Sequence, residues 1–225
     1  MHAVKRALAV LLALLLSVSL LAAAIWFPAT SEQLMLRLMQ RFAPPETTWL
    51  PAAEYPAMTK MITRYLCGGN EPFQHVYTED GVEYLAFHDY EQHHMADVQD
   101  LFRLCRWVIW LGEGVVLFGG WLLRRKFSWC AFRWTIIAVL AAVTAVAVAA
   151  VIDFDSLFIL FHKIAFTNDL WLLDPRTDML IRLMPLEFFI SYAAIIGGLW
   201  LMGMIMLLVV STISIRKAKK GSEIP

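Results

Sequence analysis

The sequence predicts a mainly α-helical membrane protein with four transmembrane helices, a small α+β extracytoplasmic unit and a short interfacial-helix segment. Hydrophobic residues make up 60% of the 225 positions, and the mean hydropathy is +0.61. These values exclude an ordinary soluble domain. Four apolar runs reach the roughly 20 residues that a helix needs to cross a bilayer. They cover residues 7–27, 104–123, 134–152 and 188–210.

The distribution of basic residues predicts the orientation of these helices. Ten of the 19 basic residues, and only one acid, lie in the N-terminal stretch, the 124–133 link and the 211–225 tail. Positively charged short loops stay in the cytoplasm. We therefore expect both termini and the link to be cytoplasmic, and residues 28–103 and 153–187 to be outside. The ten residues are Lys5, Arg6, Arg124, Arg125, Lys126, Arg133, Arg216, Lys217, Lys219 and Lys220.

Three features of the apolar regions leave alternatives open. The first run has the basic start and small residues of a signal peptide, but it is longer than the usual signal core, so we expect it to remain as the first span. Glu113 lies inside the second run, where a functional role, helix packing and a neutral state are all compatible with its position. The three cysteines are expected to be unpaired, with a Cys67–Cys105 bridge as the alternative.

The first outside segment has signals for helices and one hairpin. "SEQLMLRLMQRF" has a helical apolar stripe with Ser31 as its cap, and "PPETTWLP" ends it. "MTKMITRYL" predicts a second helix that stops at "CGGNEP". "FQHVYTEDGVEYLAF" predicts a hairpin turning at Asp80 and Gly81. From Glu91 the pattern is helical again, and we expect this helix to run unbroken into the second span.

The second outside segment contains an apolar helix that is too short to span. "DFDSLFILFHKIAF" places Phe158, His162 and Phe166, together with Phe161 and Ala165, on one helical face, which predicts a helix in the membrane interface. "TDMLIRLM" predicts a short helix that is capped by Thr177 and stops at Pro185.

Histidines and acids are concentrated in "HDYEQHHMADVQDLF", residues 88–102. Helical spacing puts His94 on one face with Asp97, about 15 Å before the second span. His94 and His162 should therefore both lie near the outer lipid–water boundary, although a structural role stays open for each. His75, His88 and His93 are read as solvated side chains. Because His93 and His94 are adjacent, they point about 100° apart on a helix and cannot easily share a metal ion, so no metal site is expected. No cofactor is expected either.

Two motifs resemble those of the lipoprotein intramolecular transacylase family, and the likeness extends over essentially the whole chain. The motifs are "HMADVQDLF" and "FHKIAFTNDLWLLDPRTDMLIRLMPLEFF". The resemblance implies an enzyme of the bacterial cytoplasmic membrane that acts at the outer leaflet on a diacylated lipoprotein. The sn-2 acyl chain would move from the glyceryl ester to the α-amino group of the N-terminal cysteine, giving the lyso-form. By position in the motifs, His94 and His162 would be the catalytic residues.

The chemistry of this transfer agrees with a histidine pair. An amine that attacks an ester needs a proton acceptor, and the leaving oxygen needs a proton; histidine performs both tasks near neutral pH. Nucleophile and ester belong to one molecule, so no serine or cysteine nucleophile is required. Cys67 as an acylated nucleophile, another lipid esterase or hydrolase, and a non-enzymatic assembly protein are the alternatives. No nucleic-acid partner is expected, and the oligomeric state is left open. Candidate orienting or substrate-binding residues are Asp97, Tyr65, Arg64, Asn168, Trp171, Asp178 and Tyr192.

Overall fold

Long helices make up most of this computed structural model, which describes residues 2–122 and 127–222. The helices are α1 (His2–Ala29), α2 (Glu32–Phe42), α3 (Pro45–Thr48), α4 (Tyr55–Leu66), α5 (Asp89–Leu122), α6 (Trp129–Ile152), α7 (Phe154–Ala165), α8 (Met179–Leu183) and α9 (Leu186–Ser222). A 3₁₀ turn covers Ala52–Glu54, and the strands β1 (Val76–Glu79) and β2 (Val82–Leu85) form one antiparallel pair. The mainly helical class and the small sheet are thus confirmed.

Three helices are long and apolar enough to cross a membrane within the described residues. They are α1, α6 and the Leu186–Lys219 part of α9. The run expected to form a further span, residues 104–123, lies in α5 except for Leu123, which is outside the described residues. Positions 124–126 of the basic link, and Glu223 in the tail, are also outside them.

The chain divides into two compact units. The first contains the described parts of Met1–Ala24, Cys105–Ile152 and Ile196–Pro225. Small side chains let its helices approach closely, as is usual for helices in lipid. Ala9 and Ala13 of α1 are buried in one cluster with Ile136 of α6 and Met204 of α9.

Two hydrogen bonds also join helices of the first unit. The indole nitrogen of Trp200 donates to the carbonyl of Ser17 at 3.0 Å, and Ser19 Oγ donates to the carbonyl of Val108 at 3.1 Å. Glu113, the acid inside the second apolar run, is exposed. The thiols of Cys105 and Cys130 are free, which excludes the Cys67–Cys105 bridge.

The second unit contains Ile25–Leu104 and Asp153–Ile195. Several of its local predictions are confirmed. Ser31 caps α2 by accepting a hydrogen bond from the backbone N–H of Leu34 at 3.4 Å. The hairpin turns at Asp80 and Gly81, whose φ angles of 51° and 78° fit a two-residue loop with both residues left-handed. The helix that carries His94 runs unbroken from Asp89 to Leu122.

The ends of two elements differ from the predictions. The "PPETTWLP" stretch contains the one-turn helix α3, which begins with Pro45 in its first turn and ends at Trp49 with φ 57°. The prediction that Thr177 caps α8 is wrong. Asp178 occupies the cap position, and the Thr177 hydroxyl donates to the carboxylate of Asp178 at 2.7 Å. The physical reason is that α8 is capped by a residue from α5.

Candidate active site

His94 of α5 and His162 of α7 lie side by side in the second unit. Their ring centroids are 6.1 Å apart with an interplanar angle of 33°. Both residues are buried, with exposed fractions of 6% and 8%. Phe166 packs against both rings, with centroids 5.1 Å from His94 and 5.6 Å from His162. The structure therefore brings together the two histidines that the motifs singled out.

The imidazole of His162 is fixed by its own helix. Its Nδ1 lies 2.7 Å from the carbonyl oxygen of Phe158, and a carbonyl can only accept, so Nδ1 carries the proton. Neutral His162 consequently has its lone pair on Nε2. Burial lowers the pKa of His162, while the hydrogen bond to Phe158 opposes that effect. The rings of Phe158 and Trp171 pack on it with centroid distances of 4.2 and 5.1 Å.

The imidazole of His94 has a different environment. Its Nδ1 is buried and has no hydrogen-bond partner among the described residues. Burial, followed by the proximity of His162, lowers the pKa of His94 to about 4, although Asp97 acts in the opposite direction. At neutral pH His94 is therefore uncharged. A neutral imidazole offers one N–H donor and one lone pair.

Asp97 and Asn168 connect the two outside segments close to the histidines. The amide nitrogen of Asn168 donates to Asp97 Oδ2 at 2.8 Å, and Asn168 Oδ1 accepts from the backbone N–H of Leu170 at 3.1 Å. Asp97 thus holds Asn168 instead of the His94 ring that it was expected to orient. Its link to His94 is by charge and by the shared helix.

A cavity of about 410 Å³ opens beside this pair. Its lining combines apolar and polar groups: Ile159, Lys163, Phe166, Thr167, Asn168, Asp169, Trp171 and Leu172. Phe166 and Trp171, which pack on His162, are also part of this wall.

The remaining predicted residues make their contacts elsewhere in the unit. Tyr65 packs against Phe73 at 5.1 Å, and Arg64 lines a second cavity of about 320 Å³. Tyr192 is buried against Phe188. None of these contacts includes a histidine.

Asp178, the last of the predicted residues, belongs to a polar cluster that the sequence did not reveal. His88, Glu91 and Asp178 offer ligand atoms within 4.8 Å of one another. This group differs from the adjacent His93 and His94, which the sequence analysis considered as metal ligands; His93 is exposed and donates to the carbonyl of Asp89 at 2.7 Å. Both carboxylates already accept hydrogen bonds from the protein. That bonding is typical of a structural role.

Glu91 is the residue that the sequence analysis missed. Its carboxylate is completely buried and accepts from a backbone N–H 89 positions away. A local signal did exist, because a glutamate three residues after a helix cap is half of a capping box. The cap here is His88 instead of serine or threonine, so the usual pattern is absent.

Comparisons with known proteins concern the family and the fold of the chain. A family model described as lipoprotein intramolecular transacylase Lit matches residues 10–189. The chain is similar to the solved structure of the membrane-integral lipoprotein intramolecular transacylase Lit from Bacillus cereus, with 22% identity over 98% of this chain and 100% of that one and a TM-score of 0.78. Two structures of the same protein with one histidine replaced, by arginine or by alanine, match with 23% identity and a TM-score of 0.69. They cover 96% of this chain, and 94% and 96% of theirs. No curated protein sequence matches the chain.

Proposed function

The chain belongs to the lipoprotein intramolecular transacylase family, and from this premise we propose that His94 and His162 form its catalytic pair. The enzyme is an integral membrane acyltransferase that moves an acyl group within a lipoprotein to give the lyso-form. The observation that supports the assignment of the pair is the contact of two buried imidazoles, 6.1 Å apart, contributed by the two separate motifs.

The substrate proposed for this pair is a diacylated lipoprotein. Its N-terminal cysteine carries a diacylglyceryl group on sulfur and a free α-amino group. The sn-2 ester and the amine are thus close together in one molecule, which gives the high effective molarity of an intramolecular reaction. The cavity lined by Asn168 and by Phe166 and Trp171, whose rings pack on His162, would receive the reacting end.

The lone pair on His162 Nε2 suits the proton acceptor of this reaction. The neutral amine attacks the ester carbonyl carbon, and a C–N bond forms. His162 Nε2 takes a proton from the attacking nitrogen and returns it to the glyceryl oxygen as the C–O bond breaks. The products are an amide and a free hydroxyl, so no proton is gained or lost overall. Neutral His94 donates a hydrogen bond to the carbonyl oxygen, on which negative charge develops.

We propose that the chain crosses the membrane four times and that this chemistry takes place at the outer leaflet. In this arrangement the 104–122 part of α5 crosses the membrane together with α1, α6 and α9, and both termini and residues 124–133 are cytoplasmic. Support comes from the ten basic residues of the short segments. The helix α7 lies in the outer interface, where its exposed apolar side chains Leu160, Phe161 and Ile164 are covered by lipid head groups and acyl chains.

Substitution of the two histidines tests the assignment. We expect His94→Ala and His162→Ala each to lower the rate by about 10²–10⁴-fold, the usual range for general acid–base groups. The double variant should lose little more than the slower single variant, because the two act as a unit. The measurement is the initial rate at which N-acyl, S-monoacylglyceryl cysteine appears on a reporter lipoprotein, read by mass spectrometry.

The chain supplies two matched controls. His75 bonds to Glu54 at 2.8 Å, and His93 is exposed and adjacent to His94. His75→Ala and His93→Ala should keep most of the rate. A normally accumulating His94→Ala or His162→Ala protein with a wild-type initial rate would show that this histidine is structural.

A further inference from the structure

The side chain of Glu91 is the most deeply buried acid in the described part of the chain, with an exposed fraction of 0%. It lies in the first turn of α5, three residues before His94, so both residues face the same side of the helix. A buried carboxylate needs hydrogen-bond donors to offset the loss of water. Glu91 obtains them from two different helices.

One oxygen of Glu91 caps its own helix. Oε2 accepts a hydrogen bond from the backbone N–H of His88 at 2.8 Å, and His88 immediately precedes α5. The first N–H groups of a helix have no partner within it, so this bond satisfies one of them. It also fixes where α5 begins relative to His94.

The other oxygen caps a second helix. Oε1 accepts from the backbone N–H of Leu180 at 2.8 Å, the second residue of α8. The cap residue of α8, Asp178, makes no side-chain bond to that helix. Its carboxylate instead accepts from the hydroxyls of Tyr90 at 2.5 Å and Thr177 at 2.7 Å, and from the backbone N–H of Asp174 at 2.7 Å.

These contacts bind α5 to the second outside segment on both sides of His94. Tyr90 and Glu91 form the links one turn before it, to Asp178 and to Leu180. Asp97 forms the link one turn after it, to Asn168. His162 lies on α7 in this same segment, so the links determine how His94 is placed relative to it.

We propose that Glu91 is a positioning residue: by capping α5 and α8 with one carboxylate, it holds His94 in the geometry that reaction with His162 requires. This inference rests on the proposed function of the histidine pair. A misplacement of about 1 Å costs up to about 10²-fold in rate. Loss of the Glu91 links should therefore appear in kcat, since Glu91 itself does not contact the cavity beside His162.

Glu91→Gln is the first test. The amide has one acceptor oxygen, so one of the two backbone N–H groups loses its partner and faces the NH₂ group. We expect kcat to fall by about 10²-fold and KM to stay within about twofold, with rates expressed per folded molecule of full-length protein. The matched control is Glu54→Gln, which alters a carboxylate of the same unit that bonds to His75, and it should keep the wild-type kcat.

A double-mutant cycle separates positioning from a loss of folded protein. Because Glu91 acts through His94, the Glu91→Gln/His94→Ala variant should be no slower than His94→Ala alone. The inference would be overturned if the rate losses of the two single variants multiply in the double variant, or if Glu91→Gln keeps the wild-type kcat. A wild-type rate in His94→Ala would instead remove the proposed function, which keeps the two failures distinct.

Two further measurements complete the test. The first is used if the Glu91→Gln protein accumulates poorly, and the second tests whether a cation binds to the carboxylates of Glu91 and Asp178. Tyr90→Phe removes only the hydroxyl bonded to Asp178, and we expect a several-fold lower kcat with an unchanged KM. The Tyr90→Phe/His94→Ala double variant should again be no slower than His94→Ala alone. Treatment with EDTA should leave the wild-type rate unchanged. An EDTA-sensitive rate that one divalent ion restores would show that the carboxylates hold a cation, and the positioning role would fall.

Discussion

The two histidines of the candidate site differ in the contact that the ring nitrogen Nδ1 makes. In His162 this nitrogen donates to the Phe158 carbonyl at 2.7 Å, whereas in His94 it is buried without a partner among the described residues. A fixed tautomer makes His162 a ready proton acceptor at Nε2. The burial that surrounds both rings keeps them neutral, because it disfavours the imidazolium form.

A pH prediction follows from these surroundings. The pKa of His94 is lowered to about 4 and that of His162 is lowered from its ordinary 6.5, so both stay deprotonated down to pH values below 6.5. The substrate amine, with a reference pKa near 8, must also be neutral. Between pH 6.5 and 8 we therefore expect kcat/KM to fall about tenfold per pH unit on acidification, reflecting the amine alone. A second proton dependence should begin only below pH 6.5.

The pH profile of kcat/KM on the reporter lipoprotein checks this prediction. A matched measurement uses a reporter whose cysteine amine is already acylated, which confirms that the product depends on that amine. A dependence of kcat/KM on two protons that already begins at pH 7 or above would mean that a histidine titrates at or above its ordinary pKa. The neutral pair would then be the wrong description of the site.

The sequence predicted the site residues unevenly, and the reason lies in the range of their contacts. His94 and His162 stand in motifs, so they could be identified without a structure. The role of Asp97 was predicted from its neighbour one turn away, yet its carboxylate bonds to Asn168, 71 positions later. Glu91 was missed for the same reason, because its second partner is 89 positions away. Pairings across such distances are set by the fold.

At the scale of elements, prediction succeeded where the signal was local. Asp80 and Gly81 suit the left-handed turn of the hairpin, and the oxygen of Ser31 lies within reach of the N–H of Leu34. The start of α8 was predicted wrongly, because the capping carboxylate comes from α5. The one-turn helix α3 escaped detection because two prolines there suggested only a break.

The contact between α1 and α5 provides a prediction at this scale. A Cβ atom at Gly112 would lie 2.1 Å from Ser19 Oγ and 2.5 Å from its Cβ. Gly112→Ala should therefore force the helices apart and destabilise the protein by about 1–3 kcal/mol, the usual cost of overpacking. The measurement is the thermal unfolding midpoint of the purified protein in one detergent.

Gly114 is the matched control, because a Cβ there would meet nothing within 4 Å. Gly114→Ala should be neutral or slightly stabilising, since alanine favours a helix over glycine by up to about 1 kcal/mol. Ser19→Gly in the Gly112→Ala background removes both clashing atoms and should recover part of the loss. Equal midpoints for Gly112→Ala and Gly114→Ala would contradict the close approach.

At the scale of the whole molecule, composition was the strongest signal. A chain with 60% hydrophobic residues is too apolar for an ordinary soluble domain, and three of its apolar runs lie in the long helices α1, α6 and α9. The division into two units follows the alternation of apolar and polar segments. The orientation of the protein in the membrane is a separate matter, because it depends on the distribution of charge and not on packing.

The topology is tested by cysteine labelling in a chain whose native Cys67, Cys105 and Cys130 are replaced by serine. Single cysteines are introduced at Asp80, in the hairpin turn, and at Arg125, in the basic link outside the described residues. In sealed spheroplasts a membrane-impermeant maleimide should label the Asp80→Cys protein and spare the Arg125→Cys protein, which should react only after permeabilisation. The reason is that basic short loops are retained in the cytoplasm, while the acid-rich 28–103 segment is translocated.

The histidine pair shares its compact unit with the hairpin, so the same experiment reports the side on which the acyl transfer takes place. Labelling of Arg125→Cys from outside the sealed membrane would invert the topology and move the proposed chemistry to the inner leaflet.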